Sequence, residues 1–256
     1  MFESDKALML VHRYRAFLEK HIIPLEQGAI YGSFRAHLPA LHALRAKAKE
    51  EGLFAPHLPD PHGGLGLSLV EFASISEVLG TSPLGHYVFN CNAPDIGNME
   101  LMHQFASPFL QEKYLRPLER GEIRSCFAMT EPEVAGSDPT LIQTHAIKDG
   151  DEWIINGHKW FISGARRAKF AILIARTEMD VPPGSRGANT AFLMDLPTPG
   201  WNDVREVETM HGSTGHSEIV IEDVSLTYPS RQTKAIANIS LTIPAGTSIA
   251  LVGPSG

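Results

Sequence analysis

Along the first part of the chain the apolar positions recur at three- and four-residue spacings: Leu8, Val11, Tyr14 and Leu18, then Leu38, Leu41, Leu44 and Ala48. That period places one apolar face on each of several helices, and it predicts helical structure from residue 3 to residue 121. Punctuation separates the helices. "HIIPLEQG" is expected to end the first, and "PHLPDPHGGLG" divides the second from "SLVEFASISEVLG". "ASPFLQEKYLRPLERG" reads as a short helix capped by Ser107 and closed by Gly121.

After Gly121 the texture changes to short apolar runs, "RSCFAMT", "EWIIN", "HKWFIS" and "FAILIART", bounded by Gly, Pro, Asn and Asp. Such runs predict strands. Within "DEWIINGHKWFISG" the pair Asn156-Gly157 lies between two alternating runs, which predicts a two-residue type I′ hairpin turn there. "GWNDVREVETMHGSTGHSEIVIEDV" is expected to supply a further pair of strands. The fold class is therefore α+β: an all-α domain over 1–121, a β-barrel-like domain over 122–224 and a short strand-rich tail over 225–256.

Composition narrows the functional classes. With 43% hydrophobic residues the chain can bury substantial cores, and its formal charge of −7 offers no basic surplus for nucleic acid or anionic membranes. Cys91 and Cys126 are the two cysteines and form no C-x-x-C pair, which suggests neither a disulfide framework nor a zinc site and fits a reducing compartment. "MFESDKALML" lacks the basic flank and apolar core of a signal peptide, and no stretch is apolar enough to span a bilayer. These features predict a soluble intracellular protein, its compartment open among cytosol, mitochondrion and peroxisome. His211 and His216 lie in a Gly/Ser-rich loop and read as surface residues rather than a metal pair. The basic clusters "RYR" and "ARRAK" read first as solvated faces, the second with a further chance of assisting a phosphate.

Two stretches could carry chemistry. In "CFAMTEPEVAGSD" an apolar strand enters a loop where Pro132 and Gly136 permit a sharp turn that exposes N–H groups and hydroxyls. "KWFISG" joins two aromatic residues to Ser163. A flat ring system such as isoalloxazine needs an apolar wall and polar donors at its edge, which these residues can supply together. Separately, each reads as a turn loop and as a hairpin packing its aromatics into a core.

In this order, "FAMTEPEVAGSD" followed by "INGHKWFISGA" resembles the acyl-CoA dehydrogenases over residues 1 to 224. That resemblance implies FAD-dependent α,β-dehydrogenation of acyl-CoA thioesters by a helical domain, a β domain and a C-terminal four-helix domain. It implies that Phe127, Met129, Thr130, Gly136 and Ser137 line the flavin, with Thr130 on its pyrimidine edge and Ser137 also near the acyl-CoA thioester arm. Phe161 would cover the dimethylbenzene side, with Ile162 and Ser163 near N5. "TEPEVAGSD" is one residue longer than the common T-E-P-G-A-G-S-D loop and is closer to a T-E-P-D-V-A form; Phe161 replaces a frequent Trp and Ser163 a frequent Thr. The family's catalytic carboxylate belongs to the four-helix domain, which nothing after residue 224 resembles, so no catalytic residue is assigned and a chain lacking that domain is expected to be inactive alone. The implied partners are the acyl-CoA substrate and an electron-accepting flavoprotein, with homo-oligomers expected through the four-helix domain.

Residues 225–256 resemble something else. "DVSLTYPSRQTKAIANISLTIPAGTSIALVGPSG" is similar to the opening of an ABC transporter nucleotide-binding domain, with Tyr228 as its adenine-stacking residue and Gly253–Gly256 opening a phosphate loop that lacks its Lys. The stretch suggests a fusion or truncation, and the alternative reading is a fragment of an ABC transporter ATP-binding polypeptide joined to a dehydrogenase segment.

Overall fold

A computed structural model describes residues 4–227 apart from 183, 185, 186 and 210–214. It divides into two compact units between Ile96 and Gly97. The first holds α1 (Asp5–Phe17), α2 (Ile23–Tyr31), α3 (Phe34–Glu50), α4 (Leu69–Leu79) and α5 (Gly85–Val88). Helix α6 (Asp95–Phe105) spans the division, and α7 (Pro108–Leu110) and α8 (Arg116–Glu119) lie in the second unit with seven strands. The helix-to-strand change thus falls near Gly121, as the pattern predicts, while the last helices belong to the unit that carries the sheet.

In the first unit the helical period of α1 holds, but the predicted face is corrected: Tyr14 and Leu18 are buried as expected, whereas Leu8 is 42% exposed and Val11 half-buried, and Ala7, Leu10 and Phe17 fill the core in their place. Phe89 meets the Tyr14 ring edge-on at 4.8 Å, and the Tyr14 hydroxyl, which burial would otherwise strand, donates to the Leu53 carbonyl at 2.6 Å. Ser68 and Glu71 form a reciprocal capping box at the start of α4. The expectation that "HIIPLEQG" ends the first helix is corrected. The chain passes from α1 through a π turn, Leu18–Ile22, straight into α2. The Ile23 N–H reaches back to the Leu18 carbonyl, and Pro24, which has no N–H, then sits in the first turn of α2 where none is required. The same device recurs at Gln111–Leu115, ahead of Pro117 in α8. Ser107 caps α7 as predicted, accepting from the Leu110 N–H at 3.4 Å.

The strands of the second unit are β1 (Ser125–Ala128), β2 (His145–Asp149), β3 (Glu152–Ser163), β4 (Phe170–Arg176), β5 (Asn189–Asp195), β6 (Trp201–Glu206) and β7 (His216–Thr227). They form one curled mixed sheet in the order β1-β4-β2-β3-β7-β6, with β5 also on β4. β1 and β4 run parallel; β2–β3, β3–β7, β6–β7 and β4–β5 are antiparallel. The inward residues include Cys126, Ala128, Ile155, Ile162, Leu173, Phe192, Ile219 and Ile221. Asn98 Nδ2 donates to Ser125 Oγ at 2.8 Å, and Lys113 and Tyr114 both bond the Asp195 carboxylate, so the helical residues of this second unit are tied to the start of β1 and the end of β5.

The Asn156-Gly157 turn is also corrected: both residues lie inside β3, which is unbroken. The hairpin turn is Gly150-Asp151, between the paired residues Asp149 and Glu152, with Gly150 at φ +58°. Asn156 serves a bulge instead, donating to Asp223 Oδ1 at 3.1 Å while its Oδ1 accepts from the Asp223 N–H at 2.9 Å. Gly157 is glycine because a Cβ there would stand 2.2 Å from Thr144 Oγ1. β6 and β7 are the predicted further pair. Of the stretch resembling an ABC transporter, Ser225, Leu226 and Thr227 complete β7 opposite β3, so the boundary drawn at 224 falls within a strand; Tyr228 and everything after it lie outside the described residues.

Candidate functional site

The loop after β1 and the return arm of β3 come together as the sequence implies. The Trp160 N–H donates to the Thr130 carbonyl at 3.0 Å, and the Thr130 hydroxyl donates to the Trp160 carbonyl at 2.6 Å. Gly136 folds back over this joint, since a Cβ on it would meet Thr130 Cγ2 at 3.3 Å. Met129 and Phe127 are half-buried, and Ser137 is exposed at the far end of the loop.

The arm itself is displaced from regular strand geometry. Lys159 pairs with Ile219 and Ile162 with Ser217, so one extra residue is inserted on β3 between them. By alternation Phe161 would follow Ile155, Gly157 and Lys159 onto the buried face. The bulge reverses this: Phe161 adopts φ +53°, a left-handed conformation unfavourable for a bulky L-residue, and its ring lies 43% exposed. Ile162 turns inward instead and is 1% exposed, so it can offer a ligand only its backbone. Trp160 and Phe161 pack edge-on with ring centres 4.9 Å apart, and His216 lies 6.3 Å from Phe161. Ser163 Oγ is hydrogen-bonded to His216 Nδ1 at 2.8 Å. The result is an aromatic surface bordered by hydroxyl groups.

Beneath it lies a feature that the sequence reading passed over. Lys159 and Glu131 are fully buried, with Nζ donating to Glu131 Oε1 and to the Met129 carbonyl, each at 2.8 Å. The carboxylate also accepts from the Gln143 and Thr144 N–H groups at 2.7 and 2.8 Å. Burial alone would raise the Glu131 carboxyl, but Lys159 and these donors outweigh it and hold it below the usual carboxylate range. Burial also lowers Lys159 from its ordinary value, against the pull of Glu131. The pair fastens the loop to the arm from below. A signal was available, because Glu131 directly follows the apolar strand residues and Thr130 while Lys159 directly precedes Trp160, so opposite charges stand at the apolar ends of the two motifs.

Other expectations resolve locally. Arg166 of "ARRAK" is committed to Asp203 and Glu206, at 2.6 and 3.1 Å, which favours its reading as a solvated face over a phosphate contact. His216 serves Ser163, while His211 lies outside the described residues. Among the described residues no group of three or more His, Cys, Asp or Glu could hold a metal, and no helix is long and apolar enough to cross a membrane. Both cysteines are free and buried.

Comparison with known proteins supplies the family. Residues 4–122 match the model for the acyl-CoA dehydrogenase N-terminal domain, and residues 126–224 that for the middle domain. Acyl-CoA dehydrogenase family member 11 of Mus musculus is 36% identical over 234 residues, covering 85% of this chain and 29% of that protein. A Mycobacterium tuberculosis protein named as a probable acyl-CoA dehydrogenase, FadE2, is 35% identical over 234 residues, covering 86% of this chain and 56% of its own. The solved structure of a Mycobacterium abscessus protein assigned to the acyl-CoA dehydrogenases superposes with TM-score 0.81 at 35% identity, over 89% of this chain and 60% of that one. The chain thus spans less than two thirds of each of these relatives, and the matched domains end at residue 224.

Proposed function

We propose, from the premise that this chain belongs to the acyl-CoA dehydrogenase family, that it forms one wall of an FAD and acyl-CoA site used for α,β-dehydrogenation of acyl-CoA thioesters. The observation that carries the proposal is the bulge at Trp160 and Phe161, which turns an aromatic ring to the surface beside Ser163 and the 129–137 loop. Left-handed backbone at a bulky residue persists where surrounding structure imposes it, and bulges of this kind are over-represented beside binding sites.

The residues fit a flavin by their chemistry. Phe161 and its neighbour Trp160 offer an apolar wall for the ring system. Thr130 has already given its hydroxyl proton to the Trp160 carbonyl, so toward a ligand it presents oxygen lone pairs, suited to an N–H on the pyrimidine edge. Ser163, oriented by His216, supplies the second hydroxyl. Phe127 and Met129 line the approach, Gly136 keeps Thr130 in place and exposed Ser137 faces the substrate arm. FAD bound there would accept the electrons of the dehydrogenation and pass them to an electron-accepting flavoprotein. We assign no catalytic base within the described residues.

The test is a titration of the purified chain with FAD, followed by quenching of flavin fluorescence, on wild type, Ser163→Ala and Phe161→Ala. Saturable quenching that weakens in both variants is expected. Absence of quenching in the wild type up to millimolar FAD would sink the claim that this wall binds flavin.

A further inference from the structure

The 130–137 loop has a second fastening, on the opposite side of the arm from the buried pair. His158 Nδ1 lies 2.7 Å from Glu133 Oε1 in the loop, and His158 Nε2 lies 3.0 Å from Glu218 Oε1 on β7. We propose that His158 is a positioning residue whose ring bridges Glu133 and Glu218 and so holds the ligand-facing loop against the sheet in a proton-dependent manner.

The chemistry follows from the two contacts. An imidazolium donates from both nitrogens and can satisfy two carboxylates at once; a neutral ring has a single N–H and leaves one carboxylate facing a lone pair. The charged groups around the ring are Glu133 from the loop, Glu218 from β7 and, through the other oxygen of Glu218 at 2.7 Å, Arg205 from β6. Glu218 is therefore secured without His158. Glu133, 46% exposed and on the loop, is the partner that can turn to water when the proton leaves. Burial opposes the charged ring, but the two carboxylates outweigh it and raise the histidine above its ordinary value. The folded value exceeds the unfolded one, so the bridge is complete below about pH 6.5 and is lost as pH rises through the folded value. Glu133 also lies where the loop departs from its shorter common form, so the loop's contribution to the clasp comes from the lengthened turn.

This deepens the proposed function, yet its test needs no ligand. The Asp138 N–H, bonded to the Ala135 carbonyl at 3.0 Å, reports closure of the loop. Its hydrogen-exchange protection, corrected for the intrinsic rate, is followed from about pH 5.5 to about pH 8.5 in wild type, His158→Gln, His158→Arg and Glu133→Gln. Wild type should lose about two- to fivefold protection with rising pH, as suits a partly exposed ion pair. His158→Gln and Glu133→Gln should show the weaker protection at every pH, whereas His158→Arg, whose guanidinium spans two carboxylates without titrating, should keep protection and lose the pH step. Equal, pH-independent protection in all four proteins would overturn the proposal. Because no flavin enters the measurement, a failure of FAD binding would refute the function and leave this result readable.

Discussion

Replacing Lys159 by Met tests how the site is held. Both members of the Lys159–Glu131 pair are buried, at 0% and 1% exposure, so the substitution leaves a carboxylate in the interior without its counter-charge and strips the Met129 carbonyl of its donor. Removing one partner of such a pair costs about 3–5 kcal/mol. Glu131 keeps the Gln143 and Thr144 N–H groups, which places the loss near the lower end, about 3 kcal/mol. For a unit of this size that corresponds to a fall in Tm of about 10 °C. Adding Glu131→Gln removes the orphaned charge, and the double variant should recover about 2 kcal/mol relative to the sum of the singles. Urea unfolding read by tryptophan emission suits the question, because Trp153, Trp160 and Trp201 all lie in the sheet-bearing unit. A loss below about 1 kcal/mol for Lys159→Met, or strict additivity in the double variant, would refute the claim that a buried charge pair fastens the loop to the arm.

Gly157→Ala would drive a methyl to within 2.2 Å of Thr144 Oγ1; thermal unfolding should show a loss of about 2 kcal/mol or more, partly restored by Thr144→Ala. Phe161→Gly relieves a left-handed φ worth about 1 kcal/mol and adds unfolded-state freedom of similar size, so Tm should stay nearly constant while FAD affinity in the quenching titration falls about tenfold for want of the aromatic wall. Glu131 is held below its unfolded pKa, so its contribution to stability is complete above the unfolded value of about 4.5 and is lost as pH falls through the folded one. Between about pH 5 and acid unfolding, wild type should therefore lose more stability than Glu131→Gln, as urea midpoints at successive pH values would show.

The helical half and the strand texture could be read directly because apolar periodicity is a local property, and the apolar runs of β1, β3 and β4 follow it; on α1 the period was legible but the face was not, since Ala7 and Leu10 are buried where Leu8 and Val11 were expected. Pairing is not local. Asn156-Gly157 has the composition of a turn, yet Asp223, far along the chain, captures the Asn side chain and the approach of Thr144 claims the glycine. Pro24 has the look of a helix terminator, but the π turn before it removes the need for its missing N–H. Within the site, the loop and arm were visible as motifs, whereas the outward turn of Phe161 depends on a register shift against β7 that no window of β3 contains. Glu131 and Lys159 were passed over because charge ordinarily signals surface, and only their mutual contact makes burial tolerable.

The central claim, that flavin lies against the bulged arm, is tested most directly by leaving Trp160 as the sole tryptophan through Trp153→Phe and Trp201→Phe and following its emission during an FAD titration. Saturable quenching of Trp160 with the same midpoint as the flavin signal is the predicted result. Flavin binding that leaves Trp160 emission unchanged would contradict the account.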